Sequence, residues 1–204
     1  MSPAARRLVL ATNNEHKVRE IRALLAGMDV QVGHLGELAD PPELIEPHDS
    51  FAGNALEKAL TVARATGELS LADDSGLMVD ALGGAPGVLS ARYAGEDATQ
   101  DELIGKLLGE LAGVPEAERT GRFVCVLVLA SPEGELGRWE GRVEGRIATE
   151  PVGEGGFGYD PVFWYPPARI TFAQMTPENK NAVSHRGRAL RAFAADLPEI
   201  LSRL

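Results

Sequence analysis

The sequence predicts an α/β fold around an elongated mixed β-sheet with flanking helices, and three observations predict it. Apolar runs of strand length alternate with amphipathic helical segments through the first half of the 204 residues. Two longer strand-like runs separated only by a short turn fill the middle, and helical periodicity returns toward the C-terminus. Alternation alone would give a parallel doubly wound sheet, and a central hairpin makes the sheet mixed. The length suits one domain, residues 1–204, of two closely packed lobes without a linker.

Each element has a local reason. Arg7-Leu8-Val9-Leu10-Ala11-Thr12 reads as a buried first strand. Asn13 and Asn14 supply cap chemistry for a helix whose Val18, Ile21, Leu24 and Leu25 share one face, and Gly27 ends it. Asp29 to Val32 is a short strand, and Pro41, Pro42 and Pro47 mark an irregular loop. A second helix runs from Ser50 to Thr66 with Phe51, Ala55, Leu56, Ala59 and Val62 inward and Gly67 after it. Leu69 to Asp74 reads as a buried strand ending in adjacent carboxylates, with Gly76 turning the chain just beyond. Gly83-Gly84-Ala85-Pro86-Gly87 is a turn too short to be a linker, and Thr99 begins a third helix through Leu103, Ile104, Leu107, Leu108 and Leu111. Phe123 to Ala130 and Leu136 to Ile147 read as antiparallel strands joined around Ser131-Pro132-Glu133-Gly134, and Pro161 to Tyr165 as a further strand. Thr176 followed by Pro177 starts a helix, because proline fits the first helical position. The remainder is helical, with a break expected near Pro198.

A formal net charge of −10 argues against broad binding to nucleic acid or anionic membranes, which needs a basic field. It leaves room for a small anionic ligand held by a few cations and a metal. Cys125, the only cysteine, rules out an internal disulfide and lies in an apolar run as a buried thiol. The N-terminus shows no long apolar signal-type run, and no segment reaches membrane-spanning length. A soluble cytoplasmic protein is expected.

Five constellations suggest chemistry, each beside a plainer explanation. Thr12-Asn13-Asn14-Glu15-His16-Lys17 joins a strand to a helix whose N-terminal N–H groups attract phosphate, with Lys17 adding a charge. It lacks P-loop spacing, and an ordinary strand-to-helix turn also explains it. Asp73 and Asp74 point to opposite strand faces, and with Glu46 either supplies the carboxylates that Mg²⁺ needs; turn chemistry and solvated acids are the alternative. Asn54 and Lys58 share a helix face, which surface polarity explains equally well. Gly153-Glu154-Gly155-Gly156-Phe157-Gly158-Tyr159-Asp160-Pro161 allows close backbone approach and offers Phe157 or Tyr159 for stacking a base; a tight turn or bulge is the alternative. Asn179 to Gly187 gathers Lys180, Ser184, His185 and Arg186, which a solvated basic face would also explain; His185 has no partner at zinc-ligand spacing.

In this order, these segments resemble the inosine triphosphate pyrophosphatases, house-cleaning enzymes that hydrolyse non-standard purine nucleoside triphosphates such as ITP, dITP and XTP. The resemblance runs from Leu8 to about Leu190. It rests on Ala11-Thr12-Asn13-Asn14 with Lys17 and Glu20-Ile21, Phe51 with Asn54-Ala55 and Lys58-Ala59, and Ala72-Asp73-Asp74-Ser75-Gly76-Leu77. It continues in Gly84-Ala85-Pro86-Gly87, Ser90-Ala91-Arg92-Tyr93, Gly156 to Pro161 and Ser184-His185-Arg186-Gly187. The resemblance implies a two-lobed fold with a nucleotide cleft between lobes, a Mg²⁺ requirement and a homodimer. It also implies that Thr12 to Lys17 cradle the triphosphate and that Glu46 and Asp74 hold the metal, with Asp73 a further ligand candidate. Asp74 would accept the proton of the attacking water beside Ser75. Phe157, Gly158, Tyr159, Asp160, Lys180, His185 and Arg186 would hold the nucleotide, chiefly its base.

Two positions depart from the family pattern. Gly53 stands where a glutamate is common, with Asp49 the nearest substitute acid, and Asn13 replaces a frequent glycine. Two other readings compete: a related pyrophosphatase for dTTP, UTP or modified pyrimidines, and a nucleotide sensor without turnover. Phe157 to Pro161 with Ser184 to Arg186 disfavour the first, and the acid pair with Glu46 disfavours the second.

Overall fold

The structure, a computed structural model, describes residues 6–204; the first five residues, part of the N-terminus read for a targeting segment, lie outside the described residues. Seven strands are found: β1 (Arg6–Leu10), β2 (Val30–His34), β3 (Leu69–Val79), β4 (Thr120–Ser131), β5 (Gly134–Ile147), β6 (Phe163–Tyr165) and β7 (Ile170–Thr171). They form one sheet in the order β2-β1-β3-β4-β5-β6-β7. β1 pairs in parallel with β2 and β3, whereas β6 pairs antiparallel with β5 and β7, so the sheet is mixed as expected. Among the described residues five α-helices accompany it: α1 (Glu15–Leu24), α2 (Phe51–Thr66), α3 (Gln100–Glu110), α4 (Pro177–Val183) and α5 (His185–Ser202).

The caps behave as their residue types require. Asn14 Oδ1 accepts from the N–H groups of His16 (3.0 Å) and Lys17 (3.2 Å), and Ser50 Oγ accepts from Gly53 N. Thr99 and Glu102 form a reciprocal capping box on α3. Gly67 closes α2 at φ +72°, a conformation that costs other residues more.

The described residues divide into two compact units. The first comprises residues through Asp74 with Val126–Glu140 and Ala189–Leu204; the second comprises Ser75–Cys125 and Gly141–Arg188. Leu8, Leu10, Ile21, Ala59, Val62, Leu71, Phe193 and Leu197 are buried in the first. Leu77, Leu103, Leu107, Phe123, Val143, Phe163 and Phe172 form one continuous core in the second, where the Phe123 and Phe163 rings lie 4.5 Å apart.

Three expectations need correction. β3 does not end at Asp74: it runs to Val79 through Gly76, because neighbouring β4 continues the sheet beyond the point where β1 stops. The strand expected from Pro161 begins only at Phe163, since 159–162 form a turn with Phe163 N bonded to Tyr159 O. Pro198 does not break α5, which continues to Ser202. With no N–H, proline leaves only one intrahelical bond unmade near that helix end. Cys125 is buried and forms no disulfide, and among the described residues no helix is long and apolar enough to cross a membrane.

Leu107 is fully buried in the second core, so Leu107→Ala should lower unfolding free energy by about 2–5 kcal/mol, whereas Leu89→Ala at an exposed site should change it by less than about 0.5 kcal/mol. Urea denaturation midpoints measure both; equal effects would contradict this core assignment.

Candidate active site

The parallel pairing of β1 with β3 ends at Leu10↔Leu71, where Ala11 N donates to Leu71 O (2.9 Å). Asp73 and Asp74 follow just past that paired end and alternate sides, as strand geometry requires. The Asp73 carboxylate takes the Lys17 ammonium of α1. Asp74 Oδ1 accepts from the Lys58 ammonium of α2 at 2.7 Å. Lys58 also donates to Glu46 Oε1 (2.8 Å) and to the Asp73 carbonyl (3.2 Å). The two aspartate carboxylates therefore hold different lysines on different helices.

Burial pushes the Asp74 carboxyl up to about 6; Lys58 and, more weakly, Lys17 pull it down, and Glu46 adds to the rise. For Lys58, burial alone favours the neutral amine, but Asp74 and Glu46 outweigh it and hold the ammonium charged above its ordinary range. Asp74 Oδ2 is buried and has no hydrogen-bond partner, an acceptor that a ligand would complete. A hard divalent cation binds through one or two carboxylates, phosphate oxygens and water. Glu46 and Asp74 fit that donor set, although among the described residues no three His, Cys, Asp or Glu side chains gather into a complete cage. Ser75, half-buried, follows Asp74 directly on β3.

At the start of α1, Thr12 Oγ1 accepts from Asn14 N (3.1 Å), and Asn14 engages two of the helix N–H groups. Asn13, Asn14, Glu15 and His16 are exposed, while Thr12 and Lys17 are half-buried. This leaves an open polar turn with Lys17 reaching from it to Asp73.

A second cluster forms within the second unit. Asp160 Oδ2 accepts from Phe157 N (2.9 Å) and Lys180 Nζ (2.5 Å), closing the glycine-rich loop on itself. Gly156 has φ +74°, and a Cβ there would lie 2.0 Å from Asp160 Oδ2, so this position needs glycine. Phe157, next to half-buried Gly158, carries Lys180 Nζ 4.7 Å and Arg186 Cζ 5.6 Å from its ring centroid. Tyr159 does not offer its ring for stacking: it is buried and its hydroxyl donates to Ser90 O at 2.9 Å. Burial raises its phenol above the ordinary range. Lys180, Ser184, His185 and Arg186 are all buried, which excludes the solvated basic face. His185 stacks on Phe123 at 4.7 Å, and Ser184 Oγ accepts from Gly187 N (3.1 Å), placing that glycine in the first turn of α5.

The structure thus brings Lys17, Glu46, Asp73 and Asp74 together, and separately Phe157, Asp160, Lys180 and Arg186. The sequence left Lys58 and Asn54 open between a shared functional face and surface polarity, and both are buried. Their signal was position: they fall on the same inward stripe as Ala55, Ala59 and Val62.

Fold and cluster define a mixed-sheet α/β protein with a buried acid–lysine cluster at the end of the β1–β3 pairing. The chain belongs to the Ham1 family, whose model matches residues 8–196. It is 52% identical over 198 residues to a dITP/XTP pyrophosphatase of Desulforamulus reducens, covering 97% of this chain and 96% of that one. It is 48% identical to a dITP/XTP pyrophosphatase of Geobacillus kaustophilus, with 95% of each chain covered. A Ham1 protein structure from Coxiella burnetii superposes with a TM-score of 0.88 at 40% identity, covering 95% of this chain and 99% of that one.

Two predictions follow from these contacts. Asp74 has a folded pKa of about 6 against an ordinary 3.8, so in metal-free protein its contribution to stability is present at low pH and lost as pH rises through about 6. Asp74→Asn should therefore gain in melting temperature relative to the parent between about pH 4 and pH 7, measured calorimetrically in EDTA; a pH-independent difference would contradict the raised pKa. Gly156→Ala should force Asp160 off Phe157 N, with altered Phe157 and Asp160 amide shifts in ¹⁵N spectra; unchanged shifts would refute the steric argument.

Proposed function

We propose that this protein is a Mg²⁺-dependent pyrophosphatase that converts ITP, dITP and XTP to the nucleoside monophosphate and pyrophosphate, removing non-standard purines from the nucleotide pool. The observation that carries this reading is Asp74: buried, raised to about 6, bonded through one oxygen to Lys58 and left with the other oxygen unpartnered. The names of the relatives agree with it.

Glu46 and Asp74 would hold the metal, with Asp73 supporting through Lys17. When bound, Mg²⁺ supplies charge neutralisation at the phosphate oxygens. Asp74 accepts the proton of the water attacking the α-phosphorus, a role suited to a carboxylate whose pKa approaches neutrality. Thr12 to Lys17 cradle the triphosphate, and Lys17 and Lys58 offset charge on the departing pyrophosphate. Ser75 lies beside the substrate, and Phe157 and Gly158 stack and admit the base, with Tyr159 anchoring their loop through Ser90. Asp160, Lys180, His185 and Arg186 fix the base edge. Donors aimed at a 6-keto oxygen meet another donor in the 6-amino group of ATP, and this clash rejects the adenine nucleotide. A cytoplasmic homodimer accompanies this reading.

Incubation with ITP, dITP, XTP, ATP, GTP and dTTP, in Mg²⁺ or EDTA, tests it. IMP and pyrophosphate from ITP are expected only with Mg²⁺; IDP and orthophosphate would overturn it. Asp74→Asn should lose roughly 100-fold or more in turnover while nucleotide binding persists, and retained activity would refute the base assignment. Arg186→Ala should erode the ITP-over-ATP ratio in kcat/KM, and an unchanged ratio would assign base recognition elsewhere.

A further inference from the structure

Asn54 is fully buried on α2, and its Oδ1 accepts from the backbone N–H of His48 at 2.9 Å. His48 follows Glu46 by two residues, with Pro47 between them holding the intervening φ. One turn along the same helix face, Lys58 reaches the Glu46 carboxylate at 2.8 Å. The loop carrying Glu46 is therefore tied to α2 twice, by its backbone through Asn54 and by its carboxylate through Lys58. The second tie is shared with Asp74, so only the first belongs to the loop alone.

Gly53 sits next to this clasp. A Cβ built there would lie 2.7 Å from His48 Cβ and 2.8 Å from His48 Cγ, closer than side chains tolerate. His48 also reaches along α2 to Glu57, Nε2 to Oε2 at 3.9 Å. Glycine inside a helix costs about 0.5–1 kcal/mol relative to alanine, so here it is kept for space. The Asn54 Nδ2 group is a further buried donor without a hydrogen-bond partner.

We propose that Asn54 is a positioning residue that aims Glu46 at the cation, and that His48 and Gly53 are a matched pair that lets the clasp close. The proposal rests on the reading of Glu46 as a metal-holding carboxylate. Any side chain at position 53 would begin from a Cβ 2.7 Å from His48 Cβ, so with His48 in this place the clasp closes only over a glycine.

The test is Mg²⁺ binding by calorimetry on nucleotide-free protein, beside binding of a non-hydrolysable ITP analogue in EDTA and the melting temperature. Asn54→Ala should weaken Mg²⁺ binding roughly 10-fold or more while analogue binding in EDTA holds. Gly53→Ala should weaken Mg²⁺ binding in the same way, and adding His48→Gly should restore it, which keeps the proposal testable should Asn54→Ala fail to fold. Parent-like Mg²⁺ affinity in Asn54→Ala or Gly53→Ala overturns the proposal, as does loss of Mg²⁺ and analogue binding together, the mark of a merely structural role. Glu46→Gln separates the two layers: if it leaves Mg²⁺ binding unchanged, the assignment of Glu46 fails, and the proposal falls with it.

Discussion

Lys58 lies between two carboxylates and a backbone carbonyl, and burying that ammonium is the constraint around which the first unit is arranged. A charged amine out of water is tolerable only when its donors are met, and a carboxylate beside it only when the amine remains. Glu46 must come from a loop, Asp74 from a strand and Lys58 from a helix. Loop, strand and helix are consequently held in fixed relation by a few hydrogen bonds rather than by apolar packing alone. Three acids and two lysines leave the cluster one negative charge in excess when all are ionised, and the buried Asp74 Oδ2 is left without a hydrogen-bond partner.

The glycine-rich loop applies the same rule with the signs exchanged. Here one buried carboxylate, Asp160, organises a backbone N–H and an ammonium, and the loop wraps closely enough that Gly156 admits no side chain. Tyr159 pins the far side of the loop through Ser90, whose own hydroxyl donates to Gly87 O and accepts from Leu77 N. Phe157 is thereby presented on a rigid frame, with two cations beside its ring.

What was legible in the sequence was local chemistry. Asn14, Thr99, Thr176 and Gly67 occupy the caps assigned to them, because capping depends on residues within one helical turn. The nearness of Glu46 to Asp74 was legible from the carboxylate chemistry and the family pattern together, but the sequence reading set Mg²⁺ between them where the structure has the Lys58 ammonium. What depended on distant neighbours was not. Gly76 reads as a turn, yet β4 carries β3 onward to Val79. Surface polarity explains Lys58 as well as a functional face does until the carboxylates of Glu46 and Asp74 account for its burial. Tyr159 reads as a stacking surface until Ser90, far off in sequence, claims its hydroxyl.

The division of the chain into interleaved segments has a consequence for how the protein is made. The first unit draws on three separate segments, and its buried Phe193 and Leu197 are made after every segment of the second unit. The second unit, closed by Arg188, has all its segments before them. During synthesis every residue of the acid–lysine cluster precedes the C-terminal helix, whose Phe193 ring meets the Trp139 ring edge-on at 5.0 Å. Nascent chains stalled short of Ala189 would leave that tryptophan without its partner ring, apolar surface of the kind on which quality-control factors act.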